Sequence, residues 1–422
     1  MINRIKSLTN TEDKKRLISN FFSLSVLQIV SYILPFITLP YLVRVLGIEY
    51  YGILAFAGAV IAYLGIITNY GFNLTATRDI SAHRDNKQKI IEIFSAVMII
   101  KFILMLGSFL VLILLVFSFD KLSKDWLIYF LTFGSVAGQV LFPIWFFQGM
   151  ERMKYITYIN IGSKLIFTVA IFVFVHSKED LYMVPLLNSL GILAGGIYSL
   201  ILVKKNFGVK FEFQNIGLLK QYMIDGWHIF VSSFGVHLYK GNAILILGVF
   251  TTDLTVGYFA IAKKIIDALN QVASIISRTL FPYVVKNHQI NKKFIQFLSK
   301  LGAGILFYTF LFFIFLIFFT EHISLLISGE VHKELVISLY IMAIVPLAIA
   351  INIPAVHILL IGKKDRYYSR SVLSGGVVDL FLLFALIPHY GYIGAAVSVL
   401  LTEIFVTLML YFYAVKLVKG RI

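Results

Sequence analysis

Hydrophobic residues fall along this chain in blocks long enough to cross a bilayer, separated by short polar stretches. The blocks predict twelve transmembrane helices, at about 17–42, 51–72, 90–118, 126–148, 155–176, 181–203, 222–249, 254–285, 296–320, 335–361, 367–388 and 392–416. Each is close to the ~20 residues that span ~30 Å of hydrocarbon. The eighth block departs from the rest. Lys263, Asp267, Asn270, Gln271, Ser274, Ser277 and Arg278 recur every three or four residues, so a helix gathers them in one stripe. Ile261, Ile265, Leu269, Val272, Ile276 and Leu280 fall elsewhere on its surface. Polar groups at membrane depth persist against protein or a water-filled cavity. The stripe therefore reads as one wall of a hydrophilic path. The plainer alternative is a helix interface held by polar contacts, with Lys263 and Asp267 paired at i,i+4.

Composition sharpens the class. Of 422 residues, 59% are hydrophobic and 14% charged, with a mean hydropathy of +0.89. Those values lie outside soluble domains and define an all-α polytopic membrane protein. The loops are short, leaving no room for a soluble catalytic domain. No nucleotide loop, metal motif or nucleophile constellation is present, and there is no cysteine, so the reading is not an enzyme. His237 and His357 read as core or cavity histidines.

The net charge of +16 does not point to nucleic acid, because the basic residues sit between the spans. One alternate set of loops and termini holds 25 Lys and Arg, from Arg4 and Lys14 through Arg84, Lys204 and Lys363 to Lys419. The other holds five: Arg44, Lys121, Lys124, Lys178 and Lys333. The positive-inside rule then puts both termini in the cytoplasm.

The chain also repeats. Gly149-Met-Glu-Arg-Met-Lys-Tyr155 matches Gly362-Lys-Lys-Asp-Arg-Tyr-Tyr368, with Gly162 and Gly375 at the same offset. A weaker echo links Leu46-Gly47 and Tyr51-Gly52 with Leu247-Gly248 and Gly257-Tyr258. Both fit two six-span lobes, 1–210 and 211–422, in parallel orientation. Such a repeat predicts a substrate site between two bundles and access by rocking.

Ionisable residues inside spans cost about 2.5–3.5 kcal/mol each and call for a function. The deep cations are Lys101, Lys164, Lys240, Lys263 and Lys264, with Arg44 and Arg278 nearer the ends; the anions are Asp267, Asp379 and Glu403. The surplus of cations suits a phosphate or diphosphate group. Lys101 and Lys164 have a structural alternative as partners of carboxylates. The three carboxylates read either as counter-ions or as carriers of a coupling H⁺ or Na⁺. Span 1 adds Ser25, Gln28, Ser31 and Tyr32, then Pro35 and Pro40, which are expected to bend or break it.

Leu39-Pro-Tyr-Leu-Val-Arg-Val-Leu-Gly47, Tyr51-Gly52 and Asn69-Tyr-Gly-Phe-Asn-Leu-Thr-Ala-Thr-Arg78 resemble the Wzx-type O-antigen and polysaccharide-repeat flippases. Trp145-Phe-Phe-Gln-Gly-Met-Glu151 and Phe281-Pro-Tyr283 share that resemblance. It implies a member of the multidrug/oligosaccharidyl-lipid/polysaccharide exporter superfamily, MATE-like, with two six-helix lobes. The implied substrate is an undecaprenyl-diphosphate-linked sugar repeat, moved from the cytoplasmic to the periplasmic leaflet of a bacterial inner membrane. The implied partners are that glycan, the bilayer and the glycan polymerase machinery. Arg44, inside the first motif, becomes a gate or headgroup candidate, whereas the deep lysines rest on the charge reading alone. The competing function is an H⁺- or Na⁺-coupled multidrug-type antiporter of the same fold, whose site would be dominated by acidic residues.

Overall fold

A computed structural model describes residues 12–287 and 292–420, and the elements assigned there are helices. In order they are α1 (Glu12–Leu46), α2 (Ile48–Asn69), α3 (Phe72–Ala82), α4 (Lys87–Ser118), α5 (Asp120–Lys124), α6 (Trp126–Leu141), α7 (Ile144–Gly149) and α8 (Met153–Phe174). A 3₁₀ turn, Lys178–Tyr182, leads into α9 (Met183–Phe207). Then come α10 (Ile216–Lys240), α11 (Asn242–Phe250), α12 (Asp253–Asn287), α13 (Lys292–Ser328), α14 (Lys333–Met342), α15 (Val345–Ile361) and α16 (Asp365–Val418). The side chains of Lys240 and Arg278, of Tyr32 and of the Phe281-Pro-Tyr283 motif lie outside the described residues, as does most of the basic N-terminal segment.

Among the described residues, nine helices or helix pairs are long and apolar enough to cross a membrane, ten if the bent pair α10–α11 counts as one. That falls short of twelve for two physical reasons. The first is α16: 54 helical residues would extend about 80 Å, more than twice a bilayer core. Gly391 interrupts it at φ 52°, ψ −127°, where the sequence predicts the join of two spans. The second is α12, which carries Lys263, Lys264 and Asp267 and is too polar to pass as a span on apolarity.

Two expectations of local shape need correction: a break in the first span and a single helix for the seventh. The helix α1 runs without a break through Pro35 and Pro40. Thr38 lies between them and turns its hydroxyl back to the Leu34 and Pro35 carbonyls, at 3.4 and 3.3 Å. The seventh span, by contrast, is not one helix. It bends by 58° at Gly241, between α10 and α11.

The chain packs as two compact units. One comprises residues up to Thr38 with Val60–Phe234, and the other Leu39–Ala59 with Gly235 onward. In the first, Trp145, Phe146 and Phe147 of α7 are fully buried against Phe94, Ile80 and Val97. In the second, Leu298, Ala355, Leu359, Val406 and Leu410 form a core of α13, α15 and α16.

The repeated turns occur as expected, in a corrected register. Glu151 and Lys363 each adopt φ 54°. The following N–H groups close the same loop, Arg152 to the Phe147 carbonyl at 2.8 Å and Lys364 to Leu359 at 2.9 Å. The turns therefore correspond at an offset of 212 residues, one fewer than matching Gly149 with Gly362 implies.

Candidate functional site

In the second unit the polar stripe of α12 divides into three parts. Near its start Lys263 pairs with Asp267 at 2.9 Å, the i,i+4 contact that the spacing predicts. Lys264 turns the other way, toward the Tyr51 hydroxyl at 3.3 Å, with its ammonium 5.7 Å from that ring's centre. Tyr51 is neutral, so this contact leaves the charge of Lys264 uncancelled, whereas Asp267 cancels that of Lys263. Lys264 is therefore the stronger candidate for meeting an anion.

One turn further, Asn270 has a buried side-chain oxygen that finds no donor among the described residues. A buried acceptor of this kind is satisfied by water or by a ligand hydroxyl. Gln271 beside it is half-buried.

Beyond that, Ser274 and Ser277 line a cavity of about 420 Å³ with Asn352, His357, Tyr368 and Glu403. The His357 Nδ1 lies 2.8 Å from the Ile353 carbonyl. A carbonyl only accepts, so Nδ1 carries a proton there. Ser277 Oγ sits 3.5 Å from Nε2. The structure thus joins Ser274 and Glu403, predicted from sequence as separate candidates, in the lining of one pocket. His357 is both a core and a cavity histidine, 3% exposed and on the pocket wall.

Asp379 lies apart from that lining. It is 3% exposed, and its carboxylate accepts hydrogen bonds from Thr402 at 3.3 Å and from Asn242. Lys263 and Glu403 are the charged groups that act on it. Sequence reading singled out Asp379 but missed both partners. The signal for Asn242 was present, since Lys240-Gly241-Asn242 is a polar step inside an apolar run.

A close helix crossing lies in the same unit. Ile48–Asn69 and Asp253–Asn287 meet at Gly52 and Gly257. A β-carbon on Gly52 would lie 1.9 Å from the Asp253 carbonyl oxygen, and one on Gly257 would lie 2.2 Å from that of Ile48. Only glycine at both positions admits so close an approach. Arg44 also belongs to this unit. It is exposed and donates to the Leu326 carbonyl at 2.5 Å, at the C-terminal end of α13, where a cation offsets the helix dipole.

In the first unit Lys101 is 1% exposed, with its ammonium 3.3 Å from the Gln139 carbonyl. Lys164 donates to Ser31 on α1 at 2.6 Å, and Gln28 of the same helix is half-buried. Among the described residues, the partners found for these lysines are a carbonyl and a hydroxyl rather than the carboxylates of the structural alternative. Two of the resemblance motifs pack on each other here. Thr77 donates to the Trp145 carbonyl at 3.2 Å, and Arg84 bridges the Gly149 carbonyl at 2.7 Å and Glu151 at 2.8 Å. These contacts tie the two motifs together within the first unit.

Long apolar helices with ionisable side chains held inside them define a multi-pass α-helical membrane protein. Residues 17–288 match the family described as polysaccharide biosynthesis protein, and the chain belongs to that family. It is 31% identical over 411 residues to an Escherichia coli (strain K12) protein named "Putative O-antigen transporter", covering 95% of this chain and 97% of that one. A Shigella dysenteriae protein of the same name is 28% identical over 404 residues, covering 93% and 98%. Among solved structures, the lipid II flippase MurJ in its inward closed conformation superposes with a TM-score of 0.68 at 13% identity, over 94% of this chain and 87% of that one. An inward-facing multidrug resistance MATE family transporter of the MOP superfamily gives 0.66 at 11% identity, over 92% and 98%. At these identities the likeness is one of fold, and it is the MATE-like fold that the sequence motifs imply.

Proposed function

We propose that this protein is a flippase that moves an undecaprenyl-diphosphate-linked oligosaccharide repeat, of O-antigen or similar type, from the cytoplasmic to the periplasmic leaflet by alternating access. The observation that carries the reading is the match, over nearly the full length of both chains, to proteins named as O-antigen transporters. The physics fits. A sugar diphosphate cannot cross hydrocarbon unaided, whereas its polyprenyl tail gains by staying in lipid. Lys264 supplies charge for the diphosphate, and Asn270, Gln271 and Ser274 of the same helix supply groups for sugar hydroxyls; Lys101 and Lys164 remain candidate cations of the first unit. Lys240 of the seventh predicted span and Arg278 of the eighth remain in the candidate set. Twelve spans in lobes 1–210 and 211–422, with both termini cytoplasmic, are part of the proposal, as is delivery of the product to the glycan polymerase machinery.

Asp379 is the proposed carrier of a coupling H⁺ or Na⁺. It favours a second reading, the ion-coupled antiporter of the same fold. The test is surface glycan display in a flippase-deleted strain, complemented at equal protein level with wild type, Lys264→Ala or Lys263→Ala. Rescue by wild type with loss in Lys264→Ala supports both the substrate and the cationic contact. Rescue that survives Lys264→Ala keeps the flippase and removes Lys264 from its site. Failure of wild type to rescue, with the cognate precursor present in the cytoplasmic leaflet, turns the reading to the antiporter.

A further inference from the structure

A groove in the first unit is lined by none of the candidate residues above. At the end of α9, Gly208 takes φ 63° and its N–H caps the Lys204 carbonyl at 3.1 Å. The chain then folds back along α4. The Glu212 N–H donates to Ser95 Oγ at 3.0 Å, and Val209 is buried. The result is a groove of about 860 Å³ with Met98 and Phe102 of α4 on one side, Leu200 of α9 on the other, and Phe211 over it. Its volume lies within the ~300–1,000 Å³ of ligand pockets.

The chemistry of the groove is one-sided. Its lining is apolar apart from Lys204 and Lys210. Lys87 adds a third ammonium at the same end, since a β-carbon on Gly208 would meet its Nζ at 3.0 Å. Glu212 is exposed nearby, and Glu92 is occupied by Lys89 at 2.5 Å. The net charge at the mouth is positive. Phe213 of the lining and Ile216 just beyond it are 92% and 83% exposed, as suits a segment lying in the membrane interface.

We infer that this groove binds an anionic glycerophospholipid, with an acyl chain between α4 and α9 and its phosphate at Lys204 and Lys210. A long apolar trough without hydrogen-bonding groups takes hydrocarbon, and a cluster of ammonium groups at one end takes the phosphate. The exposed faces of Phe102 and Ile103 open the groove to the bilayer.

The full-length protein in proteoliposomes would be crosslinked to phosphatidylglycerol or phosphatidylcholine bearing a photoreactive acyl chain, and the labelled peptides mapped by mass spectrometry. Phosphatidylglycerol is expected to label 98–103 and 200–213 in preference to phosphatidylcholine. Lys204→Ala with Lys210→Ala should weaken that labelling about twenty-five-fold, at about fivefold per lysine. Equal labelling by both lipids, adducts only elsewhere, or undiminished labelling of the double variant would overturn the inference. Displacement of the label by undecaprenyl diphosphate would assign the groove to the polyprenyl lipid instead and also overturn it. Should the double variant fail to fold, Met98→Trp fills the groove without altering its charge. Labelling that persists in Met98→Trp rejects the site.

Discussion

A single methyl group at the crossing of α2 and α12 should weaken the second unit, while the same change six residues away should not. A β-carbon on Gly52 would stand 1.9 Å from the Asp253 carbonyl oxygen and 2.8 Å from the Gly257 nitrogen. Ordinary contacts of this kind lie at about 3.5 Å, so the helices must separate by more than about 1 Å. Both obstructing atoms are backbone, and no side chain can rotate away. Overpacking of this type costs about 1–3 kcal/mol, and Gly52→Ala belongs at the upper end. Gly58 provides the control. It lies on the same helix, and a β-carbon there meets nothing within 4 Å. Gly58→Ala should be neutral or stabilising by about 0.5–1 kcal/mol through helix propensity. The assay is thermal melting of detergent-purified protein, followed by loss of the monodisperse size-exclusion peak. Gly52→Ala and Gly257→Ala should melt below wild type and Gly58→Ala at or above it. The double variant Gly52→Ala/Gly257→Ala should cost less than the sum, because the first methyl already parts the helices. If Gly52→Ala melts with Gly58→Ala, the helices are not in backbone contact and the reasoning fails.

Asp379→Asn keeps the shape of the buried carboxylate and its contact with Thr402, so abundance should hold while transport into proteoliposomes stops responding to an imposed ion gradient; a retained response would remove Asp379 as the coupling site. Arg44→Ala removes a cation from the end of α13 and should lower stability by about 1 kcal/mol, measured by the same melts, with glycan display retained if the residue only caps that helix. Asn86 accepts the Lys89 N–H at 3.0 Å as the N-cap of α4, and Asn86→Ala should cost about 1 kcal/mol, whereas Asn86→Asp should not.

What the sequence made legible was periodic or local. Apolar runs mark the spans, because a bilayer imposes their length. The spacing of Lys263 and Asp267 predicts their pairing, because i and i+4 share a helix face. The repeated turns were visible as Gly149 and Gly362, but their register was not. The positions that set it are Glu151 and Lys363, alike in backbone conformation and unlike in side chain. The partners of Asp379 come from α11 and from the far part of α16, and no spacing along the chain brings them together. Of the bend or break expected at Pro35 and Pro40, the break does not occur. Proline removes one N–H at each position, yet α1 continues through both.

The two ammonium groups of Lys263 and Lys264 show why a charge count cannot locate a site. In sequence they are equivalent, and Lys263 is favoured because it falls on the polar stripe. In the structure that same stripe supplies Asp267, which neutralises Lys263. Lys264 lies about 100° around the helix and escapes the carboxylate, meeting a phenol beside the Gly52–Gly257 crossing. A diphosphate would have to displace a carboxylate to reach Lys263, but only a neutral hydroxyl to reach Lys264. Lys264→Ala should therefore cost more glycan display than Lys263→Ala, and Asp267→Asn should leave display intact by freeing the Lys263 ammonium. The opposite order, with Lys263→Ala the more damaging, would mean that the ion pair itself is what the transport cycle uses.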